Sequence, residues 1–156
     1  ALNEGYDYFF SLEQDVIPEN DALKRLIDRR RDIVSGVYFG SFIRNNSKRV
    51  LPMLWVKKKE DKTNAIFVPV AKNYVNSNKL LKVDICGLGC ILISRKVLEK
   101  VKFRFDPDVG KQFDDVYFCL DAKNSGFGLY ADTSVKCKHL ITQRPWSWKK
   151  LLGNIE

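Results

Sequence analysis

Apolar residues gather in short blocks along this chain, separated by charged or glycine-bearing turns. The first block, Tyr8–Leu12 (YFFSL), has the composition of a strand buried on both faces. It leads directly into Glu13, Gln14 and Asp15, then Val16, Ile17 and Pro18. Glu19–Arg31 (ENDALKRLIDRRR) reads as a helix. Ala22, Leu23, Leu26 and Ile27 form its apolar stripe, Asn20 or Asp21 is placed to cap it, and arginines fill its last turn. Asp32–Phe42 is β-like, with Gly36 and Gly40 permitting bends. Val50–Val56 is a further strand, and beyond the charged run Lys57–Lys62 a hairpin returns through Ala65–Val70. Asn73–Asn78 is polar and predicts a loop.

Val83–Ser94 (VDICGLGCILIS) is a strongly apolar strand interrupted by Gly87 and Gly89. Glycine weakens a strand, so the pair marks a place where another backbone or a ligand comes close. A helix over Arg95–Val101 follows, with Ser94 in capping position. Phe113–Asn124 (FDDVYFCLDAKN) has helical spacing with Asp114 and Asp115 in its first turn, and Ser125–Gly128 ends it. Leu129–Ala131 and Ser134–Cys137 read as short final strands.

A chain of 156 residues, 45% hydrophobic and with ten phenylalanines, suffices for one folded domain and not for two. We take residues 1–140 as that domain and 141–156 as a basic tail. No run approaches the roughly 18 apolar residues that span a bilayer, and Ala1–Tyr6 has no signal-peptide character. Four cysteines among apolar neighbours predict buried free thiols and a reducing cytoplasm. Cys86 and Cys90 lack the second close pair that a zinc site needs. The net charge of +8 favours anionic partners. In the tail, Trp146, Trp148, Lys149 and Lys150 either contact an anionic membrane peripherally or pack back onto the domain.

The candidate chemistry is acidic. Glu13 and Asp15 are two apart at a strand's carboxyl end, where open α/β sheets bind ligands, and in extended chain they leave the same face. Two converging oxygens suit Mg²⁺ or Mn²⁺ carrying phosphates; a solvated acidic turn is the alternative. The helix dipole favours carboxylates at Asp114 and Asp115, but one cap uses only one of them. His139, the single histidine, is either structural or a third ligand for a cation already held by carboxylates. Arg29–Arg31 reads first as a solvated helix end, with phosphate or membrane contact as the alternative.

In order and spacing, these stretches resemble the second half of a GT-A fold glycosyltransferase of the family 2 type, over most of Tyr6 to Leu140. Glu13-Gln14-Asp15 before Val16-Ile17-Pro18 is similar to its D-x-D motif. CGLGCILISRKVLEKVKFRFD resembles its glycine-rich stretch and following helix, Asp114-Asp115 its acidic pair, GFGLYAD its late strand, and His139 its late histidine. The resemblance implies an α/β fold with a mixed, mostly parallel sheet flanked by helices. It implies a metal-dependent, inverting transfer of sugar from a nucleotide-sugar to a glycan, lipid or protein acceptor hydroxyl. Asp15 would bind Mn²⁺ or Mg²⁺, Glu13 would contact metal or ribose, and His139 would be a further ligand. Asp115 would be the general base with Asp114 supporting it, and Gly87 and Gly89 would admit donor or acceptor. This chain departs from the pattern in having Glu13 where the family has aspartate. The family's nucleobase-binding first half is also missing, which predicts a longer natural chain with an upstream part removed. A cytoplasmic enzyme, peripheral at the membrane, is the expectation. The alternatives are a basic nucleic-acid-associated domain, although no such motif is recognisable, or a non-catalytic transferase-fold module.

Overall fold

In the computed structural model, residues 2–44, 46–60, 65–104 and 114–140 are described. Two blocks too apolar for any half-exposed position, β3 (Ile33–Val37) and β10 (Cys90–Ser94), are buried at every residue. They lie inside a five-stranded sheet of order β1-β10-β3-β11-β8, completed by β1 (Tyr8–Leu12), β11 (Leu129–Lys136) and β8 (Leu80–Val83). Successive side chains leave opposite faces. Ile33, Val37, Ile91 and Ile93 therefore join Val97 of α3 (Arg95–Leu98) and Phe118, Cys119 and Ala122 of α4 (Asp114–Asn124). Val34, Cys90 and Leu92 join Ala22 and Leu26 of α1 (Ala22–Asp28) on the other face.

The expected mostly parallel sheet is corrected here. Only β3 and β11 pair in parallel; every other strand pair among the described residues is antiparallel. The physical reason is that apolar content reports burial on both faces, which helices supply whatever the strand direction. Tyr8–Leu12 is likewise not buried on both faces. It is an edge strand, exposed at Tyr8 and Leu12 and half-buried between them.

Three small sheets flank the main one. β4 (Phe39–Arg44) pairs with β5 (Ser47–Pro52), and β6 (Leu54–Glu60) pairs with β7 (Ala65–Pro69) and β9 (Ile85–Cys86). β2 (Val16–Ile17) pairs with β12 (Lys138–His139). Val50–Val56 is thus two strands meeting at Met53, and Val83–Ser94 contributes to three. Asn73–Asn78 overlaps a helical turn, α2 (Lys72–Val75), which buries Val75. Leu129–Lys136 is one strand with an irregularity after Ala131.

Neither Asp21 nor Ser94 caps its helix by side chain; the Ser94 hydroxyl donates to Asp32 instead. Arg29 is not a solvated helix end. Its guanidinium donates at 2.6 and 3.2 Å to Asp132, whose side chain is wholly buried. All four cysteines are buried free thiols. No helix among the described residues is long and apolar enough to cross a membrane. Phe113 and the tail with Trp146, Trp148, Lys149 and Lys150 lie outside the described residues.

Candidate functional site

Glu13 and Asp15 sit in the tight turn that follows β1. The Glu13 N–H donates to the Gly89 carbonyl at 3.1 Å, and Val16 N–H closes the turn on the Glu13 carbonyl at 3.0 Å. Pairing of β2 with β12 sets His139 opposite Val16, and Leu140 N–H donates to the Asp15 carbonyl at 2.8 Å. A residue 124 positions away is thereby fixed against Asp15.

The histidine ring is held at both nitrogens. Nδ1 lies 2.7 Å from the Phe39 carbonyl, which can only accept, so Nδ1 carries the proton. Nε2 then turns to Asp15 Oδ2 at 3.1 Å. The ring nitrogen and the carboxylate oxygen are thereby held side by side. Metal-binding histidines are commonly oriented in this way, by a carbonyl on the other ring nitrogen.

Asp114 and Asp115 reach the same cleft from the start of α4. It encloses about 600 Å³, with Glu13, Asp114, Asp115 and His139 at its polar end. The Asp114 carboxylate accepts the Asp115 N–H at 3.0 Å, and Asp115 Oδ1 accepts the Val116 N–H at 2.7 Å. Burial pushes the Asp115 carboxyl above its ordinary range; the Val116 N–H opposes this and Asp114 reinforces it. The Glu13 carboxyl is also raised, by burial and then by Asp15, with Asp115 and Asp114 adding and His139 opposing. Glu13, Asp114 and Asp115 thus line one cleft in a chain of net charge +8, while Asp15, in a turn rather than in the expected extended chain, does not line it and meets it through His139.

Tyr38 was not foreseen from sequence. It is buried beneath this cluster, with the Gly89 N–H donating to its hydroxyl at 2.9 Å and its ring edge-on to His139 at 5.4 Å. Burial, and then Glu13, holds the phenol protonated far above its ordinary range. Tyr38 also gives Gly87 and Gly89 a different reason from donor or acceptor approach. A Cβ on Gly87 would collide with the Tyr38 hydroxyl, and one on Gly89 would lie 2.7 Å from Tyr38 Cζ and 2.8 Å from Glu13 Oε2. Both glycines are buried, and neither lines the cleft. The aromatic wall of Phe42, Trp55 and Phe67 was also missed, since it is assembled from three strands whose pairing no local pattern announces.

Among the described residues, no three His, Cys, Asp or Glu side chains form a ready-made metal cage. The Asp15 carboxylate nevertheless suits a cation of the Mg²⁺ or Mn²⁺ kind, which takes one or two carboxylates and completes its shell with water and phosphate, and His139 stands beside it. The Asp15 side chain is 45% exposed, so such a shell has room.

Neither a protein-family model nor a curated protein matches the chain. Among solved structures it is similar to A197 from STIV, with 26% identity and a TM-score of 0.53. The match covers 92% of this chain and 63% of that one, so the chain spans less than two thirds of A197. The likeness supports a mixed sheet with several antiparallel strands. It corrects the expected membership of the family 2 glycosyltransferases, for which no finding speaks.

Proposed function

We propose that the cleft is the transfer site of a metal-dependent enzyme that moves a sugar from a nucleotide-sugar to an acceptor hydroxyl with inversion. The observation that carries this reading is that His139, whose Nε2 lies 3.1 Å from Asp15 Oδ2, lines the same cleft as Glu13 and Asp115. Asp15 and His139 would hold Mn²⁺ or Mg²⁺. The ion supplies Lewis-acid neutralisation of the departing diphosphate.

The chain's own residues do the rest. Asp115 is the general base: with Oδ1 tied to the Val116 N–H, Oδ2 is left to take the acceptor proton. The acceptor oxygen then bonds to the anomeric carbon, and the bond to the diphosphate breaks with the electron pair leaving on phosphate. The Asp114 carboxylate accepts the Asp115 N–H and fixes that helix start. Glu13 lines the same cleft and would contact metal or ribose.

Nothing in the described structure favours the nucleic-acid alternative. Arg25, Arg29, Arg95, Lys96, Arg104 and Lys123 are each paired with carboxylates of their own domain rather than arrayed as a stripe. The buried free thiols fit a reducing cytoplasm, and peripheral membrane contact through the tail belongs to the same reading.

The test is release of nucleoside diphosphate from UDP- and GDP-linked hexoses with Mn²⁺, comparing wild type, Asp15→Asn and Asp115→Asn. Asp115→Asn should lose about 10²–10⁴-fold in kcat. Asp15→Asn should lose the Mn²⁺ dependence. Undiminished turnover in both variants would falsify the assignment.

A further inference from the structure

The cleft has two chemically different ends. Beyond the carboxylates its wall is Phe42, Trp55, Phe67, Ile85 and Leu88, with Ser41 as the one hydroxyl side chain. Phe42 and Trp55 meet edge to face at 6.2 Å and 90°, so two separate sheets build one aromatic corner. Trp55, Phe67 and Leu88 are half-buried, packed against the main core as well as facing the cleft. No lysine or arginine among the described residues lines it. A diphosphate would find no cation there among the described residues. A glycan's hydroxyls set against the aromatic wall would find only Ser41 there, the carboxylates and His139 lying at the other end, and would go unpaired. An apolar body replaces water on this wall without that loss.

We infer that the acceptor is an alcohol whose hydroxyl is carried on an apolar body, aliphatic or aromatic, with the hydroxyl at Asp115 and the body against Trp55 and Phe67. This rests on the transferase reading above. It narrows that reading from any hydroxyl compound to one chemical class.

The experiment follows nucleoside diphosphate release from the same donor panel with Mn²⁺, adding 2-phenylethanol, n-octanol, glycerol or glucose. The two apolar alcohols should accelerate release about tenfold or more over the polar pair, the range a hydrophobic pocket discriminates. Trp55→Ala should raise the KM for 2-phenylethanol about tenfold, and Trp55→Phe should restore most of it. Glucose or glycerol acting as well as the alcohols, or a KM indifferent to Trp55→Ala, overturns the inference.

Saturation-transfer NMR of 2-phenylethanol separates the two readings. Contact with the alcohol should persist in Asp115→Asn and disappear in Trp55→Ala. Binding of this kind without donor turnover keeps the apolar site and defeats the transferase reading. Turnover without such binding does the reverse, and the absence of both overturns both.

Discussion

Asp132 and Asp115 are both carboxylates drawn out of water, and their surroundings treat them oppositely. Burial opposes ionisation of Asp132, but the Arg29 guanidinium and the hydroxyl and N–H of Ser134 outweigh it and hold the carboxyl below its usual range. Burial of Asp115 meets only backbone N–H groups, that of Val116 foremost, and a second carboxylate, and its carboxyl rises. The first is a finished structural pair. The second has no cation partner among the described residues and holds its charge reluctantly, the condition expected of a group poised to exchange a proton. A complete set of partners therefore distinguishes a carboxylate that holds the fold from one available for chemistry.

Breaking the finished pair should give the largest stability effect. Arg29→Ala leaves the wholly buried Asp132 charge without its cation, and loss of one partner of a buried pair costs about 3–5 kcal/mol. Urea unfolding at neutral pH reads it directly. Because the folded Asp132 carboxyl is depressed, its contribution is present above the unfolded value and fades as pH falls through the lower folded value. The gap between wild type and Arg29→Ala should accordingly close in acid.

The glycines beside the acidic turn should give the next effect. Gly89→Ala must push Tyr38 or Glu13 aside, and overpacking of this kind costs about 1–3 kcal/mol. Gly87→Ala collides with the Tyr38 hydroxyl specifically, so Tyr38→Phe should relieve part of its loss. Additive thermal-melt losses in the double variant would show the two positions to be uncoupled.

These same residues show what the sequence could and could not reveal. The glycine pair announced a close approach because glycine in an apolar strand has few other uses. What approaches is Tyr38, 51 positions upstream of Gly89, and no local pattern names it. That acids follow the first strand and open the last helix is plain in the sequence; that the β2–β12 pairing and α4 bring Glu13, Asp114, Asp115 and His139 to one cleft is not. The Arg29–Asp132 pair spans 103 positions, and helix-end composition is the same for a solvated arginine and for a paired one. Strand direction was illegible for a related reason: β10 is as apolar between antiparallel neighbours as it would be between parallel ones.

The smallest effect tests the unfinished side of the comparison most sharply. Asp114 adds to the elevation of the Asp115 carboxyl that burial causes, so Asp114→Asn should lower the Asp115 value without touching the proton-accepting oxygen. The proposed general base works ionised, so kcat should fall as pH drops through the Asp115 value, an acid limb above the ordinary aspartate range. In Asp114→Asn that limb should move to lower pH with the plateau rate nearly kept. Stability should respond with the opposite sign to the Asp132 case. A raised folded carboxyl is a penalty that sets in as pH rises through the folded value, so Asp115→Asn should stabilise the protein at neutral pH while lowering kcat about 10²–10⁴-fold. A variant both inactive and more stable separates a chemical role from a structural one. Loss of stability in Asp115→Asn would instead place Asp115 beside Asp132 as a residue of the fold.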